Sequence, residues 1–96
     1  MAKTFRLKLG TILHNQPLGI ASAAQVRLGA ARASVLGQAM ELFGHVMLED
    51  DLIVDPLDYS GGFVRVPEQT GLGVALDVDA LDRYATAAPV VLERSR

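Results

Sequence analysis

A glycine hinge that leads directly into a helix start, at residues 70–81, most strongly constrains how this chain can fold. The run reads Thr-Gly-Leu-Gly-Val-Ala-Leu-Asp-Val-Asp-Ala-Leu. Gly71 and Gly73 favour a turn with positive φ, because glycine has no Cβ to clash there. The carboxylate of Asp77 suits an N-cap, since it accepts hydrogen bonds from free N–H groups of a first helical turn. We therefore expect a tight turn, a short apolar segment and a helix at about 78–85.

Composition limits the partners that this chain can have. It has 96 residues, half of them hydrophobic, and a mean hydropathy of +0.27. So short a chain forms one small domain with a modest core, so we expect part of its apolar surface to meet another chain. The net charge is -2 and there is no basic block, so no nucleic-acid partner is expected. Cysteine is absent, which excludes disulfides and thiolate metal sites.

The chain shows no targeting or membrane signal. Its first residues lack the apolar core of a signal peptide, and no apolar run is long enough to span a bilayer. We therefore expect a cytoplasmic protein with no membrane partner.

The first part of the chain predicts a strand, a turn and a helix. Apolar and basic residues alternate along 5–13, which is the period of a half-buried strand. Pro17 disfavours helical geometry at the residue before it, so a turn is expected at 14–17. The alanine-rich segment 18–35 predicts a helix, and Gly37 would end it.

The predicted helix has two faces. An apolar side is formed by Ile20, Ala24, Leu28, Ala31 and Val35, and an opposite stripe by Ser22, Gln25, Gly29 and Arg32. Arg27 falls within the apolar side, so its charge requires a carboxylate partner or a route to water.

The second part of the chain predicts short extended pieces. One further helical turn is expected at 38–43, followed by extended segments at 46–48 and 52–54 around the acidic residues 49–51. Ser60-Gly61-Gly62 separates 57–59 from 63–66, which is a hairpin signal. The end of the chain, from Pro89, is expected to be loose.

Four blocks in this order resemble a known family. They read LHNQPLGIASAA at 13–24, ELFG at 41–44, EDDLIVDPL at 49–57 and GFVRVP at 62–67, followed by the glycine run. Together they resemble the C-terminal segment of enzymes of the mandelate racemase and muconate cycloisomerase branch of the enolase superfamily. The resemblance covers roughly residues 11–85, with order and spacing maintained.

The resemblance implies an α+β arrangement within a larger enzyme. Residues 1–37 would be the last strand and helix of a (β/α) barrel. Residues 38–96 would be a β-rich tail that completes the capping domain and ends in a short helix.

The parent would be a cycloisomerase, racemase or sugar-acid dehydratase, in which Mg²⁺ or Mn²⁺ holds a substrate carboxylate and a base removes the neighbouring proton. The metal ligands and the base lie on barrel strands that this segment does not match. We therefore expect no catalytic residue, metal site or cofactor in this chain, and no activity from it alone.

The resemblance also implies where a substrate would touch this segment. His14, Asn15 and Gln16 would face a small carboxylate substrate at the mouth of an intact barrel. The alternative is a turn whose polar groups only satisfy the backbone. Cycloisomerases often place a Glu on this turn, but here it reads Gln16-Pro17-Leu18. That departure favours a dehydratase-like or unassigned member.

Other candidate sites have plainer explanations. A lone Gly71-x-Gly73 favours a turn over a phosphate site. The acidic residues 49–51 favour a solvated turn over a cation site, because adjacent side chains of an extended chain point to opposite faces. His14 and His45 have no metal-ligand spacing.

Three functions stay open from the sequence. The chain is the C-terminal part of such an enzyme, a non-catalytic module that pairs with a second copy through its apolar helix, or a subunit that complements a separately encoded barrel fragment.

Overall fold

The computed structural model of this chain describes residues 10–15 and 17–94. Its elements follow an α+β order, as the sequence predicts: strand β1 (His14–Asn15), helix α1 (Gly19–Ala31), strand β2 (Glu41–Leu42), helix α2 (Gly44–Met47), a 3₁₀ turn (Ser60–Gly62) and helix α3 (Val78–Tyr84). None of the helices in this described part is long and apolar enough to cross a membrane.

The two short strands pair in parallel, and α1 is the crossover between them. His14 lies opposite Glu41, and Asn15 lies opposite Leu42. The pairing continues one residue earlier, where the N–H of Glu41 donates to the carbonyl of Leu13 over 2.8 Å. Parallel strands require such a crossover connection, since a tight turn cannot reverse the chain twice.

The position of this strand pair corrects two predictions. Of the strand expected at 5–13, residues 5–9 lie outside the described part, and 10–13 form no strand. The strand is instead at His14–Asn15, where a turn was expected, and β2 replaces the helical turn expected within 38–43. The physical reason is that each strand is defined by its partner more than twenty residues away, which local periodicity does not report.

Helix α1 is shorter than predicted. It ends at Ala31, and the N–H of Arg32 donates to the carbonyls of Leu28 and Gly29. The chain then continues through a single turn, in which the N–H of Leu36 donates to the carbonyl of Arg32. The expected last turn to Val35 is therefore not part of the helix.

The covered face of α1 is the opposite of the predicted one. The buried residues are Gly19, Ser22, Ala23, Val26 and Gly29. Ile20 and Leu28, from the predicted apolar side, are 37% and 41% exposed. An alanine-rich helix has small residues on every side, so hydrophobic periodicity does not select which face a neighbouring segment covers.

The core joins α1 to the later part of the chain. Val26, Ile53 and Leu57 are buried together, and their partly buried neighbours are Leu42, Tyr59, Val64 and Val74. Of the extended segment predicted at 52–54, the structure confirms a single bridge, with bends at the residues on either side. Ile53 forms an antiparallel bridge with Leu76, and the N–H of Val54 donates to the carbonyl of Ala75 over 2.9 Å.

The prediction of a β-rich tail is wrong for residues 38–94. Apart from β2 and the Ile53–Leu76 bridge, these described residues form no strand, and the extended piece expected at 46–48 is largely taken up by α2. The expected hairpin is present only as a reversal, closed by the N–H of Arg65 donating to the carbonyl of Asp58. Prolines at positions 56 and 67 bracket this reversal, and proline cannot donate to a ladder.

The glycine hinge and the helix start are confirmed. Gly71 and Gly73 have φ of 66° and 76°. The Oδ1 of Asp77 accepts a hydrogen bond from the N–H of Ala80 over 3.0 Å, and α3 begins at the next residue, Val78.

The two hinge glycines predict a graded pair of variants. Gly71→Ala should lower the free energy of unfolding by about 1–2 kcal/mol, because alanine is strained at positive φ. Gly73→Ala should cost more, because its Cβ would collide with Pro67 and lie 2.8 Å from an Arg27 guanidinium nitrogen. Urea unfolding followed by circular dichroism measures both. Gly37→Ala is the control, since its Cβ would meet open space without positive φ. Equal losses at Gly71 and Gly73 would contradict the packing argument.

Candidate functional site

The end of β1 carries two of the three predicted site residues, on opposite faces of the strand. His14 is exposed, whereas Asn15 is buried with 3% of its surface exposed. Successive side chains of a strand alternate in this way. Gln16 lies outside the described residues. The two described residues therefore face different surroundings and offer different chemistry.

His14 is held from three directions. Its Nδ1 lies 3.2 Å from Oε2 of Glu41, the residue opposite it in the strand register. Its ring is tilted against Phe43, with the two centroids 5.1 Å apart. Its backbone carbonyl accepts a hydrogen bond from Nε2 of Gln25 over 3.1 Å. The imidazole is therefore positioned by contacts with β2 and with the residue after β2, and the His14 backbone by a contact with α1.

Asn15 is buried with one polar atom satisfied and one not. Its Nδ2 donates to Oγ of Ser22 over 2.8 Å, and that hydroxyl donates to the carbonyl of Pro17 over 3.2 Å. Since a hydroxyl has a single proton, the amide must present its NH₂ group to Ser22. The Oδ1 of Asn15 is then a buried acceptor with no partner among the described residues.

The first turn of α1 is capped by a residue far along the chain. The N–H of Gly19 donates to both carboxylate oxygens of Asp51, over 2.9 and 3.1 Å. A carboxylate is favourable there because a helix N-terminus is partially positive. The sequence analysis assigned Asp51 to a solvated turn and missed this role. The sequence did contain a signal for it. The N-cap residue is Leu18, whose side chain makes no capping hydrogen bond, so the first turn needs an acceptor from elsewhere.

The neighbouring Asp50 anchors α3. It accepts a hydrogen bond from the hydroxyl of Tyr84 over 2.7 Å and pairs with Arg83 over 3.4 Å. The pKa of Asp50 lies below its ordinary value, chiefly because of the Tyr84 hydrogen bond, with the backbone N–H of Asp51 and the charge of Arg83 adding to it.

Arg27 attaches the tail to α1 through carbonyl groups. Its Nη2 donates to the carbonyls of Pro67 and Gln69, over 2.7 and 2.6 Å. The sequence analysis expected a carboxylate partner or a route to water. Two backbone carbonyls supply the acceptors in place of a carboxylate, and the bond to Gln69 lies at the exposed surface.

A cleft of about 420 Å³ lies beside Asp51 and the start of α1. Its wall includes His45 and Tyr59, whose rings stack 3.6 Å apart. Burial raises the pKa of Tyr59, and the negative charge of Asp51 adds to the rise. Within residues 10–15 and 17–94, no three His, Asp or Glu side chains come together to hold a metal ion. The described residues therefore do not fit the Mg²⁺ or Mn²⁺ that the resemblance implies.

The fold and the polar strand end define an α+β segment built on a parallel strand–helix–strand unit. The family model described as enolase C-terminal domain-like matches residues 1–80, and the chain belongs to this family, as a C-terminal segment of an enolase-superfamily enzyme. It is 36% identical to muconate cycloisomerase 1 of Rhodococcus opacus over 65 residues, which are 68% of this chain and 17% of that protein. It is 33% identical to chloromuconate cycloisomerase of Cupriavidus pinatubonensis over 86 residues, which are 90% of this chain and 22% of that protein.

A solved structure supports the same assignment. An isomerase from Streptomyces coelicolor A3(2) superposes with a TM-score of 0.74 at 34% identity, over 86% of this chain and 22% of that one. The chain thus spans about a fifth of the length of the relatives that it matches. The family resemblance read from the sequence is confirmed.

The Asn15–Ser22 hydrogen bond predicts a stability loss at a small residue. Ser22→Ala should lower the free energy of unfolding by about 1–3 kcal/mol, because the buried Asn15 amide then has no partner. Urea unfolding measures the loss, and the exposed Ser34→Ala is the matched control. A loss at Ser22 no larger than that at Ser34 would contradict the network.

The Asp50–Tyr84 contact predicts a pH effect. Tyr84→Phe should raise the pKa of Asp50, measured by NMR titration of its carboxyl carbon, because the main cause of the lowered value is removed. A lowered folded-state pKa stabilises the fold at neutral pH, and this stabilisation is lost as acid protonates Asp50. The stability difference between wild type and Tyr84→Phe should therefore shrink at acid pH. Asp58 is the internal control, since its own pKa is lowered chiefly by Ser60, and a parallel shift there would contradict the assignment.

Proposed function

We propose that this chain is the C-terminal part of a muconate cycloisomerase or mandelate racemase-like enzyme, which removes a proton next to a substrate carboxylate with the help of a metal ion. The observation that carries the proposal is the match to chloromuconate cycloisomerase along 90% of the chain at 33% identity. The turn after β1 lacks the Glu that cycloisomerases often have there, so dehydration of a sugar acid is the alternative reaction.

In this proposal β1 and α1 are the last strand and helix of a barrel, and residues 38–96 complete the capping domain. A strand followed by a helix, as in β1 and α1, is the repeating pair from which such barrels are built. The exposed Ile20 and Leu28 supply an apolar face on α1 for the rest of the barrel.

The same placement brings the polar strand end to the substrate. Active sites of these barrels lie where strands end at their carboxyl side, and His14 and Asn15 are at that end of β1. The orphan Oδ1 of Asn15 supports the idea that a donor from outside the described residues completes the site. Gln16, the third residue of the predicted set, follows directly in the chain. A small carboxylate is the substrate of the intact parent.

The metal ion would belong to another part of the parent. A Mg²⁺ or Mn²⁺ ion would supply charge stabilisation next to the substrate carboxylate. Its ligands would come from the four-fifths of the relatives' length that this chain does not match. The chain alone is then inactive and located in the cytoplasm, and it has no nucleic-acid or membrane partner.

A non-catalytic module that pairs with a second copy is the second candidate. It is favoured by exposed apolar side chains outside α1, above all Val90, Val91 and Leu92 near the end of the described chain. A subunit that complements a separate barrel fragment uses the same surfaces with a different partner. Light scattering of the pure chain separates these candidates, because a stable monomer contradicts self-pairing.

A chimera tests the enzyme proposal. The matched segment of the Cupriavidus chloromuconate cycloisomerase is replaced by this chain, and turnover of chloromuconate, muconate and a sugar-acid panel is measured with added Mg²⁺ or Mn²⁺. We expect metal-dependent turnover of at least one substrate by the chimera. We expect none from the chain alone, because the other groups of the site are supplied by the rest of the enzyme.

Two controls make this experiment decisive. The Ser34→Ala chimera should keep its activity, because Ser34 is exposed and remote from β1 in the chain. A chimera that melts like the parent enzyme but turns over no substrate would contradict the proposal. Turnover by the isolated chain would contradict the proposal that the chain is inactive on its own.

A further inference from the structure

We propose that Met40 is a site of reversible oxidation, at which a hydroperoxide converts the thioether to a sulfoxide and thereby loosens the pairing of β1 with β2. This inference goes beyond the proposed function, because it concerns a side chain outside the polar end of β1 and requires no substrate. Its basis is the place that the Met40 sulfur occupies on α1.

The Met40 side chain lies in a notch on α1 that a glycine leaves open. A Cβ built at Gly29 would collide with Sδ of Met40 and would lie 3.0 Å from its Cε. Leu13 borders the same notch, since its Cδ1 lies 3.7 Å from that Cβ position. Gly29 itself is buried. The sulfur therefore packs directly against the helix backbone, beside an apolar side chain that precedes β1.

The position of Met40 in the chain links this notch to the strand pair. The next N–H group, that of Glu41, donates to the carbonyl of Leu13 over 2.8 Å. Strands β1 and β2 are two residues long each, and so short a pair is marginal without packing around it. The contact of Met40 with α1 therefore helps to hold the first residue of β2 against β1.

A small oxidant can reach the Met40 side chain. Met40 is partly buried and lines a cleft of about 540 Å³. The walls of this cleft also include Phe63 and Val64. Met47, in α2, is 57% exposed and offers an internal comparison. Both thioethers are accessible to a hydroperoxide, but they differ in what surrounds them.

The oxidation itself is a balanced two-electron step. A sulfur lone pair attacks one oxygen of hydrogen peroxide, so that an S–O bond forms and the O–O bond breaks. The proton of the transferred oxygen passes to the departing oxygen, which leaves as water. Sulfur is oxidised and the peroxide is reduced. The product is a sulfoxide, which is polar and chiral where the thioether was apolar.

The oxidised side chain does not fit the notch. Gly29 lies inside α1, which spans Gly19–Ala31, and backbone N–H groups in a helix interior are already used by the helix. The new sulfoxide oxygen would therefore be an acceptor without a donor, which costs free energy away from water. The Met40 side chain then leaves the notch, and the first residue of β2 loses a support.

The first test oxidises the wild-type chain stepwise with hydrogen peroxide. Cleavage after Glu41 places Met40 and Met47 on different peptides, so mass spectrometry assigns each sulfoxide. Amide hydrogen exchange followed by NMR measures the strand pair. We expect Met40 sulfoxide to speed exchange at Glu41 by about tenfold or more relative to Asp77, whose N–H donates to Leu52 over 2.8 Å. Met47 sulfoxide should change neither amide.

Matched variants separate the notch from general oxidation. Met47→Leu should keep the response to peroxide, and Met40→Leu should abolish it because leucine has no sulfur. Gly29→Ala fills the notch and should speed exchange at Glu41 before any peroxide is added. Gly37→Ala should not, since its Cβ would meet open space. The methionine sulfoxide reductases for both sulfoxide epimers should restore the wild-type exchange rate.

Several results would overturn this inference. A Met40 that stays reduced until the chain unfolds contradicts its accessibility. A Met40 sulfoxide with unchanged exchange at Glu41 contradicts the link to the strands, and so does a response that persists in Met40→Leu. Failure of the reductases to restore exchange contradicts reversibility. The first test uses the wild-type chain and measures no turnover, so its outcome is independent of variant folding and of the chimera experiment.

Discussion

The Asp51 carboxylate at the first turn of α1 is the contact on which the rest of the described structure depends. Both of its oxygens accept a hydrogen bond from the N–H of Gly19. This contact attaches the start of α1 to the acidic segment that follows α2. Ile53, two residues later, enters the core against Val26. The start of α1 in turn limits where β1 ends, because only a few residues separate them.

Polar contacts supplement a small apolar core in this chain. Three buried side chains form the centre of the core, while many large apolar side chains stay exposed. Arg27 joins α1 to two carbonyls of the tail, and Asn15 joins β1 to Ser22. Such directional links specify geometry without much burial. An excess of exposed apolar surface is in keeping with a chain that spans about a fifth of its relatives' length.

Sequence reasoning reached the family and part of the local structure, and it failed where partners are distant. The order and spacing of the four blocks indicated the family that the comparisons confirm. The strand at His14–Asn15 was missed, since among residues 10–15 and 17–94 it is supported by a pairing with the distant Glu41 and Leu42. The covered face of α1 was assigned to the wrong side, because this helix has small residues on every face. The role of Asp51 was missed for the same reason as the strand, since Gly19 is 32 positions away.

Local chemistry was sufficient for the glycine hinge and for the start of α3. The positive φ of Gly71 and Gly73 and the Asp77 cap follow from residue types within a few positions of one another. Folding in three dimensions was needed to give His14 its carboxylate, to bury Asn15 and to choose which face of α1 faces the core. These features depend on free energies of contact between residues far apart in the chain, and a local pattern contains no information about which distant segment will arrive.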